Sequence, residues 1–360
     1  MKVDFIIVGQ GLAGTVLALN LLGKSKSFII IDNNSTSASS FSAAGISHPL
    51  SFKRLILSWN AEKLIPYGRD FYLRSCELIN ESCFYDQDMI RIFSSYEEQN
   101  NWNRKATEVP YVNLLKKSSF PISKHKINAP YGYGSVTNAS RLNVSKFVKK
   151  AREYFIENKI MIVEDFKHSL LLMQKNECQY KHITCNKIIF CEGPSIKNNP
   201  YFDYIPFGFN KGDILTISSN ELPIKLLSKG CFVLPTKNNE FIVGSTYNHN
   251  DLDVNRTTSG RKELIAKLNK LGSFKYEILS QKSGIRPSSI DRKPIIGEHP
   301  LIKNMFLFNG LGSKGVMLAP YFAEELLNAV LQNKKIEKEV AVDRFSRSHL
   351  HKFINPHPLD

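Results

Sequence analysis

Val3-Asp4-Phe5-Ile6-Ile7-Val8-Gly9-Gln10-Gly11-Leu12-Ala13-Gly14, running on into Thr15 to Leu22, decides the fold. Val3 to Val8 is an apolar, β-branched run of strand length, and Thr15 to Leu22 is apolar nearly all round. The two read as a buried strand and a buried helix joined by a tight turn. Each glycine of such a turn has its own mechanical job: Gly9 allows the bend, Gly11 lets a pyrophosphate approach the backbone, and Gly14 permits close helix–strand packing. Phosphate charge then sits at the helix N-terminus, where unpaired N–H groups favour an anion, so Leu12 and Ala13 join the glycines as candidate contacts. A second strand, Ser27 to Ile31, ends in Asp32, whose carboxylate can accept both ribose hydroxyl hydrogens, with Asn33 beside it. Strand, glycines, helix, strand and acid in this order mark a dinucleotide-binding unit.

Outward from this unit lies a loop of small residues, Asn33 to Pro49, in place of another βαβ repeat. Small side chains there would let a long flat ligand lie against the backbone, with Ser hydroxyls and N–H groups donating to phosphate oxygens. A flexible surface linker is the plain alternative.

Composition bounds the rest. The 360 residues suffice for two domains, and 42% hydrophobic with 22% charged residues is a globular balance, which excludes disorder as the main theme. Asp4 and three glycines interrupt the apolar stretch Phe5 to Leu22, which argues against a secretory leader, and no other window approaches a membrane span. The six cysteines form no CxxC pair and have no His at ligand spacing, so neither a metal site nor a disulfide framework is expected; a cytoplasmic location follows as the default. Lys and Arg exceed Asp and Glu by 15. Such an excess can attract RNA or an acidic surface, although a Lys-, Asn- and Ile-rich composition throughout is the stronger reading of it at first sight.

Four later segments carry further signals. Ile160 to Phe166 and Asn186 to Phe190 read as strands, the latter entering Cys191-Glu192-Gly193. Gly284-Ile285-Arg286-Pro287 is followed by Asp291-Arg292-Lys293-Pro294-Ile295-Ile296-Gly297. Met305 to Phe308 reads as a strand running into Asn309-Gly310-Leu311-Gly312-Ser313-Lys314-Gly315-Val316, and the amphipathic stretch Tyr321 to Leu331 then aims another helix N-terminus at a ligand.

With these motifs the sequence resembles the D-amino-acid oxidase superfamily of FAD-dependent oxidoreductases, which includes glycine oxidase, over nearly the whole chain. The resemblance implies non-covalent FAD. It assigns Ser40, Ser42, Ala43, Ala44 and Gly45 to the path from pyrophosphate to ring, and Cys191 and Gly193 to a turn closing over the cofactor. The Phe166 backbone goes to the adenine, and Gly310, Gly312, Ser313, Lys314, Gly315 and Val316 to the flavin edge. Cys191 stands where relatives carry Ala. The implied architecture is α/β: a discontinuous Rossmann-type FAD domain on a mostly parallel sheet (1–75, 140–204, 284–340), an α+β substrate domain on an antiparallel sheet (76–139, 205–283), and a C-terminal tail (341–360). Cys231 to Pro235 and Phe241 to Tyr247 read as a hairpin of that second sheet.

Flavin-dependent amine oxidation needs orientation and fixed charge more than acid–base machinery. Arg286 is the leading substrate anchor, because a guanidinium binds a carboxylate in bidentate fashion. Lys314 would stabilise a reduced flavin, with a solvated lysine as the alternative. Tyr247 would face the flavin or pack, and His48 in the small-residue loop completes the set of catalytic candidates. Ser47-His48-Pro49-Leu50, Gly244-Ser245-Thr246-Tyr247 and the Ser313-Lys314-Gly315 turn are most similar to the FAD domain of a bifunctional tRNA-modifying member, although Pro287 and the missing methyltransferase half depart from it. The expected activity is therefore oxidation of a C–N bond in glycine, a D-amino acid or an N-carboxymethyl amine. A tRNA-modifying flavoenzyme and an RNA-associated flavoprotein without turnover remain open.

Overall fold

A computed structural model describes residues 1–35 and 39–345; the tail expected from about Arg347 lies outside them. At its centre Lys2–Val8 is flanked by Phe28–Asp32, which is followed outward by Met161–Val163, and on the other side by Ile183–Phe190, all parallel. The far edge of Ile183–Phe190 is shared. Its first half pairs with the antiparallel meander Leu171–Met173 and Cys178–Tyr180, and its last three residues pair in parallel with Met305–Asn309, which carries Ile295–Glu298 antiparallel outside it.

Alternation explains the continuous apolar run of the first strand. Phe5 and Ile7 enter the core beneath the helices, whereas Ile6 and Val8 enter a separate core on the opposite face with Phe190, Phe202 and Tyr204, as a parallel strand buried on both faces requires. Helix Leu12–Leu22 is enclosed by helices Gly315–Gln332 and Val144–Glu157, so its all-round apolarity matches its all-round burial. A β-carbon at Gly14 would fall 1.9 Å from the Gly9 carbonyl oxygen. Only hydrogen fits there.

A second sheet runs in the order Glu277–Ser289, Phe207–Ser218, Glu240–Gly244, Cys231–Pro235, Leu226–Lys229, Met89–Ile92, Tyr133–Val136, Leu115–Lys117. Its neighbours are antiparallel except Leu226–Lys229 beside Met89–Ile92. Helix Thr258–Leu271 covers one face with Leu264, Leu268 and Leu271. The strands around Thr236 to Asn239 pair as a hairpin with Val233 opposite Val243. The division expected at 283/284 falls inside the single strand Glu277–Ser289.

All six cysteines are free and buried. Among the described residues no helix is long and apolar enough to cross a membrane.

Candidate active site

Between the two sheets lies a cavity of about 1150 Å³. Its floor begins at the N-terminal turn, where Gly9 has φ +96° and a side chain would meet the Cys191 carbonyl oxygen at 2.6 Å. Strand, turn and Cys191 are thus pressed together under a wall of bare backbone. The N-termini of helices Leu12–Leu22 and Gly315–Gln332 both border the cavity, close enough that a β-carbon on Gly315 would lie 3.2 Å from Leu12 Cδ2. Two helix dipoles therefore aim positive ends into one space.

Asp32 closes the strand beside the turn. Its Oδ2 accepts from the Gln10 N–H at 2.8 Å, and its Oδ1 accepts from the Asn34 N–H at 2.8 Å and from Arg152 Nη2 at 2.7 Å. Arg152 is itself buried, donating from Nε to Gln10 Oε1 at 2.6 Å and from Nη1 to Asn34 Oδ1. Three donors already hold a carboxylate that has about four acceptor positions, so roughly one is left for a ribose hydroxyl.

The small-residue loop is stitched on both sides. Ser40 Oγ accepts from the Leu12 N–H at 2.9 Å, while Ser39 and Ser42 donate to the carbonyls of Ile285 and Ser283, the latter at 2.8 Å. It is an ordered wall rather than a linker over these residues.

Arg286 projects from the strand Glu277–Ser289 across Gly212. Its Nη1 donates to Asn210 Oδ1 at 2.9 Å, and its guanidinium stands 4.9 Å from the ring centre of Tyr247, which is otherwise 63% exposed. Burial lowers its pKa, with Tyr247 and Asp213 pulling it back up; a guanidinium stays charged under such a shift. Lys314 Nζ donates to Ser58 Oγ at 2.8 Å, and burial, then Arg292, lowers its pKa. His48 stacks on Phe52 at 5.0 Å with its Nδ1 buried and unpartnered. Burial first, then the charges of Lys314 and Arg91, push its pKa down to about 4, so its ring is neutral near pH 7.

The cavity brings together His48, Tyr247, Arg286 and Lys314 with most of the expected cofactor contacts: Gly9, Gly11, Leu12 and Ala13, Asp32 and Asn33, Ser40 and Ser42 to Gly45, Cys191 and Gly193, and Gly312 to Val316. Three expected residues are not on its wall. Gly14 lies behind Gly9, Gly310 backs onto Ile295, and the Phe166 ring is stacked on Tyr180 at 4.3 Å in the opposite core. Sequence reasoning missed Gln10, Arg152 and Arg91. The one signal for Arg91 was a lone cation in Met89-Ile90-Arg91-Ile92; the other two had none.

Comparison with known proteins agrees with this geometry. The family model described as FAD dependent oxidoreductase, DAO, matches residues 4–329. The chain belongs to that family. As a DAO-family flavoprotein it uses FAD, and the bare glycine turn, the paired helix N-termini and the continuous cavity suit a long dinucleotide. It is 22% identical over 230 residues to glycine oxidase of Bacillus subtilis (strain 168), covering 58% of this chain and 61% of that protein. It is 24% identical to the tRNA 5-methylaminomethyl-2-thiouridine biosynthesis bifunctional protein MnmC of Leptospira interrogans serovar Lai, over 96% of this chain and 59% of that one. The chain thus spans about three-fifths of each. Among solved structures, glycine oxidase from Geobacillus kaustophilus superposes with a TM-score of 0.79 at 16% identity, covering 95% of this chain and 99% of that one. Iminodiacetate oxidase from Chelativorans sp. BNC1 gives 0.75 at 16% identity, over 94% and 98%. At such identities these two attest the fold.

Proposed function

We propose that this protein oxidises the C–N bond of an amine or amino acid of the glycine, D-amino-acid or N-carboxymethyl amine type, by hydride transfer to non-covalently held FAD. The observation that carries the reading is a half-buried guanidinium, Arg286, in the same cavity as both glycine turns. When bound, FAD supplies the two-electron sink for the C–H bond beside the nitrogen. The Gly9–Gly14 turn and its helix would hold the pyrophosphate, Asp32 and Asn33 the adenosine ribose, and Ser40 to Gly45, Cys191, Gly193 and Gly312 to Val316 the remainder.

Arg286 binds the substrate carboxylate with its free N–H groups and fixes the α-carbon relative to the ring. Tyr247 covers the outer face of that guanidinium and limits water. His48, neutral above about pH 4, offers a hydrogen-bond acceptor without adding a third positive charge beside Lys314 and Arg91. Lys314, tethered to Ser58, supplies a fixed cation where negative charge develops on reduction.

An anaerobic screen of flavin bleaching with glycine, sarcosine, D-amino acids, N-carboxymethyl amines and tRNA bearing carboxymethylaminomethyl-uridine tests this. Bleaching by at least one carboxylate amine is expected, and a flavin that stays oxidised across the whole set refutes the reading.

The excess of 15 cations favours a second reading in which RNA is the partner, with or without turnover. Binding of tRNA with a steep dependence of log K on log salt, undiminished by Arg286→Ala, is its expected signature. A cytoplasmic location goes with either reading.

A further inference from the structure

The roof of the cavity holds a second fixed arginine that the reading above leaves unused. One transverse row of paired residues crosses the antiparallel sheet: Ile214 opposite Gly244, Gly244 opposite Phe232, Phe232 opposite Ser228, and Ser228 opposite Arg91. Directly paired residues project to the same face of a sheet, and all five line the cavity. With neighbouring strands about 4.8 Å apart, the four steps span roughly 19 Å along the sheet, and less in a straight line because the sheet twists. Near one end of this row Arg286 lies over Gly212, two residues along the strand from Ile214. Arg91 marks the other.

Arg91 is held as a binding group would be. Its Nε donates to Glu98 Oε1 at 2.7 Å and its Nη1 to Ser228 Oγ at 3.2 Å. Its guanidinium covers the Phe52 ring, 4.8 Å from the centroid. Its Nη2 has no hydrogen-bond partner among the described residues. Glu98, which pairs with its Nε, is not part of the cavity wall, whereas Arg91 and Ser228 are. Beside burial, the charge of Arg91 helps to lower the pKa of Lys229 and, after burial and Lys314, that of His48. Between the two arginines the row carries Ile214, Gly244 and Phe232, with Ser228 beside Arg91.

We infer that Arg91 is a second anion subsite, and that the substrate is an amine with one carboxylate for Arg286 and a carboxylate or phosphate at the far end of a long N-substituent. This rests on the amine oxidation proposed above and narrows its substrate class. Glycine itself would reach only the Arg286 end.

The test is anaerobic reduction of the holoenzyme by three matched compounds: N-hexylglycine, N-(5-carboxypentyl)glycine and the phosphonate analogue of the latter. A charge-assisted hydrogen bond formed only by the anionic arms should raise kcat/KM about 10- to 100-fold over the neutral arm. The two anionic arms separate a preference for carboxylate from one for phosphate. In Arg91→Met the anionic-to-neutral ratio should fall to about 1. Because that change strands Glu98, the double variant Arg91→Met with Glu98→Gln is measured beside it, and the same collapse of the ratio is expected. Reduction by all three at equal efficiency, or a preference that survives in both variants, overturns the second subsite and leaves amine oxidation standing. If none of the three reduces the flavin or perturbs its spectrum on titration, the second subsite falls, and the broader amine screen described above decides amine oxidation separately.

Discussion

The guanidinium of Arg286 occupies the space where Gly212 lacks a side chain: a β-carbon on Gly212 would lie 2.0 Å from Arg286 Nη2. The two residues sit on paired strands, with Arg286 opposite Asn210 and Gly284 opposite Gly212, so the arginine reaches diagonally across its neighbour. The anchor is defined as much by the missing side chain as by the charge.

Gly212→Ala should therefore displace the guanidinium rather than the backbone, because the clash is with the far end of a long side chain. We expect KM for a carboxylate-bearing amine to rise roughly 10- to 100-fold, with the melting temperature little changed, since one charge-assisted hydrogen bond is at stake. Steady-state kinetics beside a thermal melt check this; unchanged KM would show that Arg286 does not hold the carboxylate.

His48 makes stability depend on pH in a definite direction. Its folded pKa, about 4, lies below the ordinary 6.5, so on acidification the unfolded chain takes up the proton first. The contribution of the neutral ring is complete above pH 6.5 and is lost as pH falls toward 4, by at most roughly 3 kcal/mol. Melts of wild type and His48→Asn across pH 4 to 7 should converge at the acidic end. Parallel curves would mean that His48 is not held neutral.

Arg152 should govern cofactor affinity. Arg152→Met removes the donors to Asp32 and Gln10, and we expect the Kd for FAD to rise about tenfold, with Arg152→Lys recovering only part because an ammonium cannot reproduce the planar fork. Fluorescence titration of the apoprotein with FAD measures it. An unchanged Kd would reduce Arg152 to packing.

Gly14→Ala should be the most damaging of these changes. Its β-carbon would collide with the backbone oxygen of Gly9, so helix and strand must separate, at a cost of roughly 2–4 kcal/mol. Low FAD occupancy and a lower denaturation midpoint are expected together. A variant of normal stability and colour would contradict the packing described for the turn.

The first strand, the glycine turn and Asp32 were legible because each depends on residues close in sequence: the run expected at Val3 to Val8 is the strand Lys2–Val8, and Asp32 ends the next strand as expected. The last helix was legible only in part. Amphipathicity appears from Tyr321, yet the helix begins at Gly315, because Val316 to Pro320 are buried all round and carry no polar face from which periodicity could be read. Arg152 and Arg91 were invisible for a different reason. Their meaning lies in partners such as Gln10, 142 positions away, and Ser228, 137 positions away, and no local pattern encodes such meetings. In the small-residue loop, read as either a cofactor wall or a linker, Ser39, Ser40 and Ser42 are hydrogen-bonded to backbone far away in sequence, which composition alone does not encode.

The thirteen-residue strand Glu277–Ser289 carries Arg286 and also receives the hydroxyls of Ser39 and Ser42 on the carbonyls of Ile285 and Ser283. It acts as a rigid spar between the cofactor loop and the anchor, fixing their separation from within one piece of backbone. The opposite border of the roof, around Ser228 and Arg91, belongs to other strands and is free to diversify without disturbing that distance. Descendants of this chain can thereby change what they accept while keeping the reaction register intact.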